Sequence, residues 1–306
     1  MKRLSSIIIA LSFAAGIYAA EPASFNAATY NIRLYTSSDS LKGNTWERRG
    51  PEIAKVAYFN NFDIFGTQEG YKHQLEFLKK RLPAYDYIGV GREDGKEGGE
   101  HSAIFYNTDL FEVLDHGDFW LAEDTTRPNL GWDAACIRVC TWGKFRHKPS
   151  GREFLFFNLH MDHIGVLARI NSAKLIKEKM NALGSELPTF LTGDFNVDQH
   201  SDAYQTITGD GKLLDSYVVS DFTFAPNGTF NNWRTDAFSG ERIDHIFVTP
   251  NVHVKKYGIL TDTYRTIDGN DKALEPTDAP DVISITEATP RVPSDHFPVK
   301  VEIELK

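Results

Sequence analysis

Short runs of apolar residues, many of them alternating with polar ones, recur along the chain and predict β-strands separated by a few helices. The clearest helix is predicted at 164–183, where apolar residues recur at three- and four-residue spacing and Gly184 ends the run. Two more helices are predicted at 46–59 and 69–81. The predicted strands are 25–34, 63–66, 85–90, 102–106, 111–121, 134–145, 153–160, 189–192, 242–249, 254–260 and 299–305.

Strand-rich stretches interrupted by helices are typical of stacked sheets covered by helices, and we therefore expect an α/β fold. The alternation continues to the end of the chain without a linker, a repeat or a low-complexity tract. Residues 262–293 are rich in Asp, Thr, Pro and Gly, and we expect them to form a long surface loop. The pattern favours a single domain over residues 21–306.

The first twenty residues have a different character. Lys2 and Arg3 are followed by a run over 7–20 that is apolar or small almost throughout and ends in Ala19-Ala20. This order is typical of a secretory signal peptide and is short for a membrane span, although a first core helix is the alternative. We therefore expect an exported protein, periplasmic or secreted, with no transmembrane segment after cleavage.

Charge narrows the range of partners. Without Lys2 and Arg3 the mature chain has 31 basic against 42 acidic residues, a net charge of −11. Affinity for nucleic acid comes mostly from Lys and Arg, so this balance disfavours a general nucleic-acid binder. The compact basic clusters, Arg48-Arg49 and 79–81, are expected to be solvated helix surface.

The two cysteines, Cys136 and Cys140, fall in one predicted strand. Residues four apart in a strand lie roughly 13 Å apart, which is too far for a disulfide. We interpret them as two small apolar side chains.

Polar residues stand at the ends of several predicted strands. Asn31 and Glu69 each follow one, and Asn158, His160 and Asp162 alternate in an extended segment and so are predicted to face one side of it. The remaining segments of this kind are Gly193-Asp194-Phe195-Asn196, Ile243-Asp244-His245-Ile246 and Ser294-Asp295-His296-Phe297-Pro298.

Each segment taken alone has a purely structural explanation. Asp and Asn often form turns by bonding their own backbone, and a carboxylate such as Glu69 is favoured at a helix start. Asp244 is harder to explain in this way, because it lies within an apolar strand and a buried carboxylate needs a partner. Since all the structural explanations would have to hold independently, the six segments together favour one convergent site.

This set of side chains suits the hydrolysis of a phosphate ester, which needs a cation, a base for water and donors for the developing charge. The oxygen ligands of Asn31, Glu69 and Asp295 fit a hard cation, Mg²⁺ or Mn²⁺. Asp194 is a candidate to activate the water. His296 is a candidate phosphate contact whose tautomer Asp244 would hold. His160 is a candidate to bond the phosphate or the leaving oxygen.

The ordered segments resemble the endonuclease/exonuclease/phosphatase superfamily, in what looks like an uncharacterised exported bacterial branch. That group includes deoxyribonuclease I, abasic-site endonucleases, sphingomyelinases, inositol polyphosphate 5-phosphatases and deadenylases. The resemblance covers nearly the whole mature chain. It rests on Thr29-Tyr30-Asn31-Ile32-Arg33, Thr67-Gln68-Glu69, Asn158-Leu159-His160, Gly193-Asp194-Phe195-Asn196, Ile243-Asp244-His245-Ile246-Phe247-Val248 and Ser294-Asp295-His296-Phe297-Pro298.

The resemblance implies a four-layer αββα sandwich of two mixed, mainly antiparallel sheets, with the site at one edge. It also implies roles by position. Asn31, Glu69 and Asp295 match metal-site positions, Asp194 and Asn196 match the water-activating and phosphate-contacting pair, Asp244 and His296 match the Asp–His pair, and His160 matches a position that is His in many members.

Other residues of the chain are candidates to shape the pocket. Arg92 and Glu100 are candidates to face the substrate, and the alternative for each is a salt-bridge partner in a loop. The aromatic residues Trp120, Trp132, Phe230 and Trp233 line the pocket or pack in the core.

The leading hypothesis is a Mg²⁺- or Mn²⁺-dependent phosphoesterase, a monomer acting on a small or lipid-linked phosphate or on a soluble phosphodiester. The sequence leaves open whether the substrate is a monoester or a diester. Alternatives are a secreted nuclease, a non-catalytic binding protein on the same fold, and a calcium-bound sugar-binding module. A local basic groove would be enough for the nuclease.

Overall fold

The structure is a computed structural model that describes residues 23–184, 186–269, 272–274, 278, 280 and 282–305. The predicted signal peptide, residues 1–20, lies outside the described residues. Within them, no helix combines the length and the apolar character needed to cross a bilayer.

Six helices and seventeen strands are assigned in the described residues. The helices are α1 (Ser37–Leu41), α2 (Trp46–Phe59), α3 (Lys72–Arg81), α4 (Val166–Gly184), α5 (Asp202–Thr208) and α6 (Ser216–Val219). The strands are β1 (Ala23–Asn31), β2 (Ile64–Gln68), β3 (Tyr85–Ile88), β4 (Ile104–Asn107), β5 (Phe111–Trp120), β6 (Val139–His147), β7 (Glu153–His160), β8 (Thr189–Asp194), β9 (Leu214–Asp215), β10 (Phe222–Phe224), β11 (Asp244–Val248), β12 (Val252–Ile259), β13 (Tyr264–Thr266), β14 (Ala273–Leu274), β15 (Ile285–Thr286), β16 (Thr289–Arg291) and β17 (Val299–Leu305).

Two large sheets contain most of these strands. One has seven strands in the order β10-β12-β17-β1-β2-β4-β3, and the other has six in the order β5-β6-β7-β8-β11-β9. Neighbours are antiparallel except for the parallel pairs β1–β2, β7–β8 and β10–β12. The predicted α/β fold with two mixed, mainly antiparallel sheets is confirmed.

Three buried apolar clusters show how the layers stack. Phe25 of β1 packs on Phe154 and Phe190 of the other sheet, with ring centroids 5.1 Å and 5.8 Å away, so the two sheets lie face to face. On the outer side of the seven-stranded sheet, α2 and α3 bury residues such as Ile53 against it. On the outer side of the six-stranded sheet, α4 buries residues such as Ile176. The layer order is therefore αββα.

A polar contact joins the two sheets beneath their common edge. Asn158 of β7 donates from Nδ2 to the carbonyl oxygen of Thr67 at 2.9 Å, and its Oδ1 accepts from Gln68 Nε2 at 2.6 Å. A Cβ atom at Gly66 would lie 2.2 Å from that Oδ1. Only glycine at position 66 lets the sheets approach this closely.

Several predicted boundaries are wrong for backbone reasons. The strand predicted at 25–34 ends at Asn31, and Arg33 has φ 56°, which no strand residue adopts. The helix predicted at 69–81 begins at Lys72, because Glu69 has φ 65°. The strand predicted at 134–145 begins at Val139, so Cys136 lies in a loop before it. Cys140 is buried and Cys136 is partly exposed, and neither forms a disulfide.

The segment predicted as a surface loop, 262–293, contains paired strands. β13 pairs with β16, and β14 pairs with β15, each antiparallel. Most of their residues are exposed, so the segment is a surface ribbon. The sequence did not predict these strands because each has only two or three residues, too few for an alternation of apolar and polar residues to show.

Candidate active site

The ends of five strands, together with the segment that leads into β17, bring the predicted site residues to one edge of the sandwich. Asn31 pairs with Gln68 in the parallel β1–β2 pair, so Glu69 follows directly beside it. In the other sheet Asp194 is in register with both His160 and Asp244. These ends open on a cavity of about 530 Å³. Its lining includes six of the predicted residues, Glu69, His160, Asp194, Asn196, Asp295 and His296.

The remaining two predicted residues lie behind the cavity wall. Asn31 donates from Nδ2 to Glu69 Oε1 and to Asp194 Oδ2, both at 3.0 Å, and all three side chains are buried. Asp244 lies behind His296. Its Oδ2 is 2.8 Å from His296 Nδ1. The structure therefore brings all eight predicted residues together.

Backbone strain concentrates around these residues. Arg33, Glu69 and Asn196 have φ values of 56°, 65° and 50°, in the left-handed region that non-glycine residues rarely adopt. The strained turns have direct effects: the Arg33 amide donates to Asn31 Oδ1 at 3.0 Å, and the Asn196 amide donates to Asp194 Oδ1 at 2.9 Å. Strain held next to polar side chains is characteristic of functional sites.

His296 lies between two carboxylates. Its Nδ1 bonds Asp244, and its Nε2 is 3.7 Å from Asp194 Oδ2. Burial alone would favour the neutral imidazole, but the charges of Asp244 and Asp194 outweigh it and raise the pKa of His296 well above its ordinary value. His296 is therefore a protonated donor, with Nδ1–H on Asp244 and Nε2–H at the cavity.

Asp194 is the carboxylate best placed to accept a proton. Burial, and then the neighbouring Asp244 carboxylate, raise the pKa of Asp194, while His296 and the hydrogen bonds from Asn196 and Asn31 oppose that rise. A carboxylate whose proton affinity is increased while it faces a cavity suits a general base.

The environment of His160 fixes its tautomer. Asn196 donates from Nδ2 to the Met161 carbonyl oxygen at 3.0 Å, and the same amide nitrogen is 3.0 Å from His160 Nε2. Nε2 must therefore accept, and the ring proton is on Nδ1. Burial, and then the charges of Arg138 and Arg92, lower the pKa of His160, so the ring is neutral. In this arrangement His160 positions Asn196.

Asp295 shares the cavity with cations. Its Oδ2 is 3.7 Å from Arg33 Nε, and Arg33 also bonds Asp39 at 3.0 Å. Burial raises the pKa of the Asp295 carboxyl and Glu69 adds to that rise, against the charges of His296 and Arg33. Asp295 and Glu69 are two buried carboxyl groups in one cavity, and their negative charges favour the binding of a cation there.

The expectation that Arg49 is a solvated surface residue is wrong. Its side chain is 1% exposed and donates to the carbonyl oxygens of Ile32, Arg33 and Leu34. Arg49 therefore fixes the strained turn that follows β1. The guanidinium also lies 4.9 Å from the Trp46 ring, which compensates part of its desolvation.

The donor set fits a hard divalent cation. Ligand atoms of Glu69, His160 and Asp194 lie within 4.8 Å of one another, and the Asn31 amide bridges the two carboxylates. Asn31 and Glu69, with Asp295 in the same cavity, would hold the ion. When bound, it neutralises phosphoryl oxygens and lowers the pKa of water. The identity of the ion stays a prediction.

A second group with ligand-like spacing lies at the cavity rim. Cys136, Asp162 and His163 have donor atoms within 4.8 Å of one another. Asp162 is already engaged, because it accepts hydrogen bonds from the backbone amides of Cys136, Ile164 and Gly165. The group is better explained as a structural cap than as a metal site.

The predicted pocket-shaping residues divide into two sets. Arg92 and Glu100 line the cavity and pair with each other at 2.6 Å, while their contact with the substrate stays a prediction. Phe230 and Trp233 line the cavity too. Trp120 instead donates its indole N–H to the Arg92 carbonyl oxygen at 2.8 Å.

Arg138 lines the cavity and was not singled out from the sequence. The available signal was its position, an isolated basic residue between Cys136 and Cys140 at the start of a predicted apolar strand. The same reasoning that selected Asp244 would have selected Arg138.

Two facing sheets with buried acids, amides and an Asp–His pair at one edge define the class of protein, a hydrolase of phosphate esters. The chain belongs to the endonuclease/exonuclease/phosphatase family, whose model matches residues 28–296. A comparison with curated proteins finds no match.

Solved structures of similar proteins agree with this assignment. An endonuclease/exonuclease/phosphatase family protein from Bacteroides thetaiotaomicron is 52% identical, with 94% of this chain and 99% of that chain covered and a TM-score of 0.86. A mannosyl-6-phosphatase from the same organism is 53% identical, with 92% and 99% covered and a TM-score of 0.84. A family member from Bacteroides vulgatus is 38% identical, with the same coverage and a TM-score of 0.78.

Proposed function

We propose that this chain is a metal-dependent phosphomonoesterase that removes the phosphate from a sugar phosphate, with mannose 6-phosphate as the first substrate to test. The observation that carries the proposal is the cavity in which Asn31, Asn196 and His296 surround a buried Asp194. The mannosyl-6-phosphatase that is 53% identical supports the choice of substrate. We also propose export, on the strength of residues 1–20.

Each residue has a separate role in the reaction. Asp194 accepts a proton from the water that attacks phosphorus. His296, protonated and held by Asp244, donates to a phosphate oxygen. The departing sugar oxygen takes a proton from solvent water, and Asp194 afterwards releases to solvent the proton that it took from the attacking water. Asn196, held by His160 and by the Met161 carbonyl oxygen, donates its backbone amide to Asp194 Oδ1 and so fixes the orientation of the base.

The outer part of the cavity suits a sugar. Phe230 is 41% exposed and Trp233 is partly exposed, so both present apolar ring surface at the opening. Polar side chains share the lining, Ser38, Asp39, Lys42 and Asn232 among them. An apolar wall with a few polar groups is the usual design of a small-molecule pocket.

The first experiment measures hydrolysis by the mature protein, residues 21–306. Mannose 6-phosphate, glucose 6-phosphate, p-nitrophenyl phosphate, bis-p-nitrophenyl phosphate and single-stranded DNA are each assayed with Mg²⁺, Mn²⁺ or EDTA. We expect metal-dependent release of phosphate from the sugar monoesters, abolition by EDTA, and a weaker reaction with the diester.

The Asp194→Asn variant removes the base and should reduce kcat by about 10²-fold or more. Asp221→Asn is the matched control, since Asp221 is an exposed carboxylate that pairs with exposed His253. Cleavage of DNA or of the diester with no monoester turnover would replace the proposal by a nuclease or diesterase. Wild-type activity in Asp194→Asn would overturn the role of Asp194.

A further inference from the structure

Arginines on the cavity wall differ in how they are paired. Arg33 bonds Asp39 at 3.0 Å, and Arg92 makes a two-point contact with Glu100 at 2.6 and 2.8 Å. Both cations are compensated by carboxylates within the protein. Arg138 lines the same cavity, but among the residues that the structure describes no carboxylate lies within good hydrogen-bond distance of its guanidinium.

Arg138 is 5% exposed, and its neighbours leave most of its donors free. Its closest carboxylate, Asp162, is 3.5 Å from Nε, too far for a good hydrogen bond. Nη2 lies 3.2 Å from His163 Nδ1. Within the described part of the chain, Nε and Nη1 have no hydrogen-bond partner. A buried guanidinium with unpaired N–H groups is costly unless a ligand completes it.

A second buried donor lies beside it. His160 is 8% exposed, and its Nδ1, which carries the ring proton, has no hydrogen-bond partner in the described residues. His160 and Arg138 both line a recess of about 10 Å³ next to the main cavity. That volume is close to the room that one oxygen atom of a water molecule needs. Glu69, Glu100 and Arg92 also line the recess, and Glu100 Oε2 is 3.8 Å from His160 Nδ1, beyond hydrogen-bond distance. The two unpaired donors at a recess of this size fit a single oxygen acceptor.

The charge of the acceptor distinguishes the two kinds of phosphate ester. A phosphomonoester has three terminal oxygens and a charge of about −1.5 to −2 at pH 7. A diester has a second ester oxygen in place of one terminal oxygen, and a single negative charge. A guanidinium therefore gains more from a terminal oxygen of the monoester than from the ester oxygen of the diester.

We propose that Arg138 is a specificity-determining residue that donates to a terminal phosphate oxygen and so favours monoesters over diesters. This inference rests on the proposed phosphomonoesterase function. Three backbone amides fix the Asp162 carboxylate, whose charge 3.5 Å from Arg138 Nε favours this position of the guanidinium before the substrate arrives.

The test compares Arg138→Gln with wild type on mannose 6-phosphate, p-nitrophenyl phosphate and bis-p-nitrophenyl phosphate. Loss of a charge-assisted hydrogen bond should reduce kcat/KM for both monoesters by about 10- to 100-fold, with little change for the diester. The inhibition constant of inorganic phosphate should rise in parallel. Arg138→Lys keeps the charge without the fork of donors and should recover part of the loss.

Arg127→Gln is the matched control, because Arg127 lies on the same connecting segment but is 72% exposed at its side chain and pairs with Asp124 outside the cavity. It should leave both reactions unchanged. The inference would be overturned if Arg138→Gln lost kcat/KM equally on monoesters and on the diester. It would also be overturned if the ratio of kcat/KM for monoester over diester and the inhibition constant of phosphate were both unchanged. Absence of monoester turnover in the wild type would overturn the proposed function and this inference with it. If Arg138→Gln does not fold, Arg138→Lys is tested in its place. An unchanged ratio of kcat/KM for monoester over diester in that variant also counts against the inference.

Discussion

At the scale of single residues, the site is made of charged groups that would be costly to bury one at a time. Asp194, Asp244 and His296 are each at most 5% exposed, and the imidazole stabilises both carboxylates through contacts of 2.8 and 3.7 Å. Removal of one partner leaves the others uncompensated. The Asp244–His296 contact is therefore a functional unit, in which Asp244 holds both the charge and the orientation of the imidazole.

Asp244→Asn should reduce kcat by about 10²-fold or more, because the imidazole loses the negative charge that keeps it protonated. The substrate and metal conditions are those of the wild-type assay. Asp221→Asn again provides the comparison, since it breaks an Asp–His contact of the same length, 2.8 Å, at the surface. A kcat near that of the wild type would show that His296 works without Asp244.

At the scale of elements, the turns after the strands orient the site. β7 is followed by a turn in which Asp162 is 2% exposed and accepts from the amides of Ile164 at 2.9 Å and Gly165 at 2.7 Å. Burial alone would raise the pKa of Asp162, but backbone amides such as those of Gly165 and Ala135 outweigh it and hold that pKa well below its ordinary range. The ionised carboxylate thus ties the turn to the start of α4.

Asp162→Asn should reduce the free energy of unfolding at pH 7 by about 2–3 kcal/mol. A carboxyl with a lowered folded-state pKa stabilises the fold above its unfolded pKa of about 3.9, and this stabilisation is lost as pH falls below that value. The difference in the free energy of unfolding between wild type and Asp162→Asn should therefore become smaller as the pH falls from 7 to 3. Urea unfolding at several pH values measures it.

Asp133→Asn serves as the comparison, because exposed Asp133 also accepts from α4 amides, those of Leu167 and Ala168, and Asn caps helices as well as Asp does. It should change stability far less. If wild type and Asp162→Asn have the same free energy of unfolding at pH 7, or if the difference between them is constant across the pH range, the role given to Asp162 in this turn is wrong.

Element prediction from sequence succeeded where a pattern was local. α2 and the strands β7 and β17 begin and end where the periodicity of apolar residues places them. It failed where tertiary contacts override local preference. Glu69 was assigned to a helix, yet its side chain bonds Asn31 and the amide of Leu34, which holds its backbone in the left-handed region.

The candidate site was predictable in composition but not in geometry. The positions of Asp194, Asp244 and His296 at strand ends were readable from the sequence, because polar residues interrupt apolar runs there. The burial of the arginines was harder to predict. Arg138 interrupts a predicted apolar strand, but Arg49 has no comparable signal, and the burial of both depends on carbonyl and carboxylate groups that only the folded chain brings near.

At the scale of the whole molecule, the function depends on two sheets meeting at one edge. One sheet supplies Asn31 and Glu69, and the other supplies His160, Asp194 and Asp244. Asn158 and Gly66 fix the separation of the sheets directly beneath this edge. Asp295 and His296 lie just before β17 of the first sheet, so groups from both sheets can act on the same phosphorus atom.

The most direct test of this account is the position of the ion and the phosphate in a crystal of the mature protein grown with Mn²⁺ and inorganic phosphate, with diffraction measured at the manganese absorption edge. We predict an anomalous peak at the oxygens of Asn31 and Glu69, and phosphate density in contact with His296 and Arg138. Manganese bound instead at Cys136 and His163, or phosphate bound outside the cavity, would contradict it.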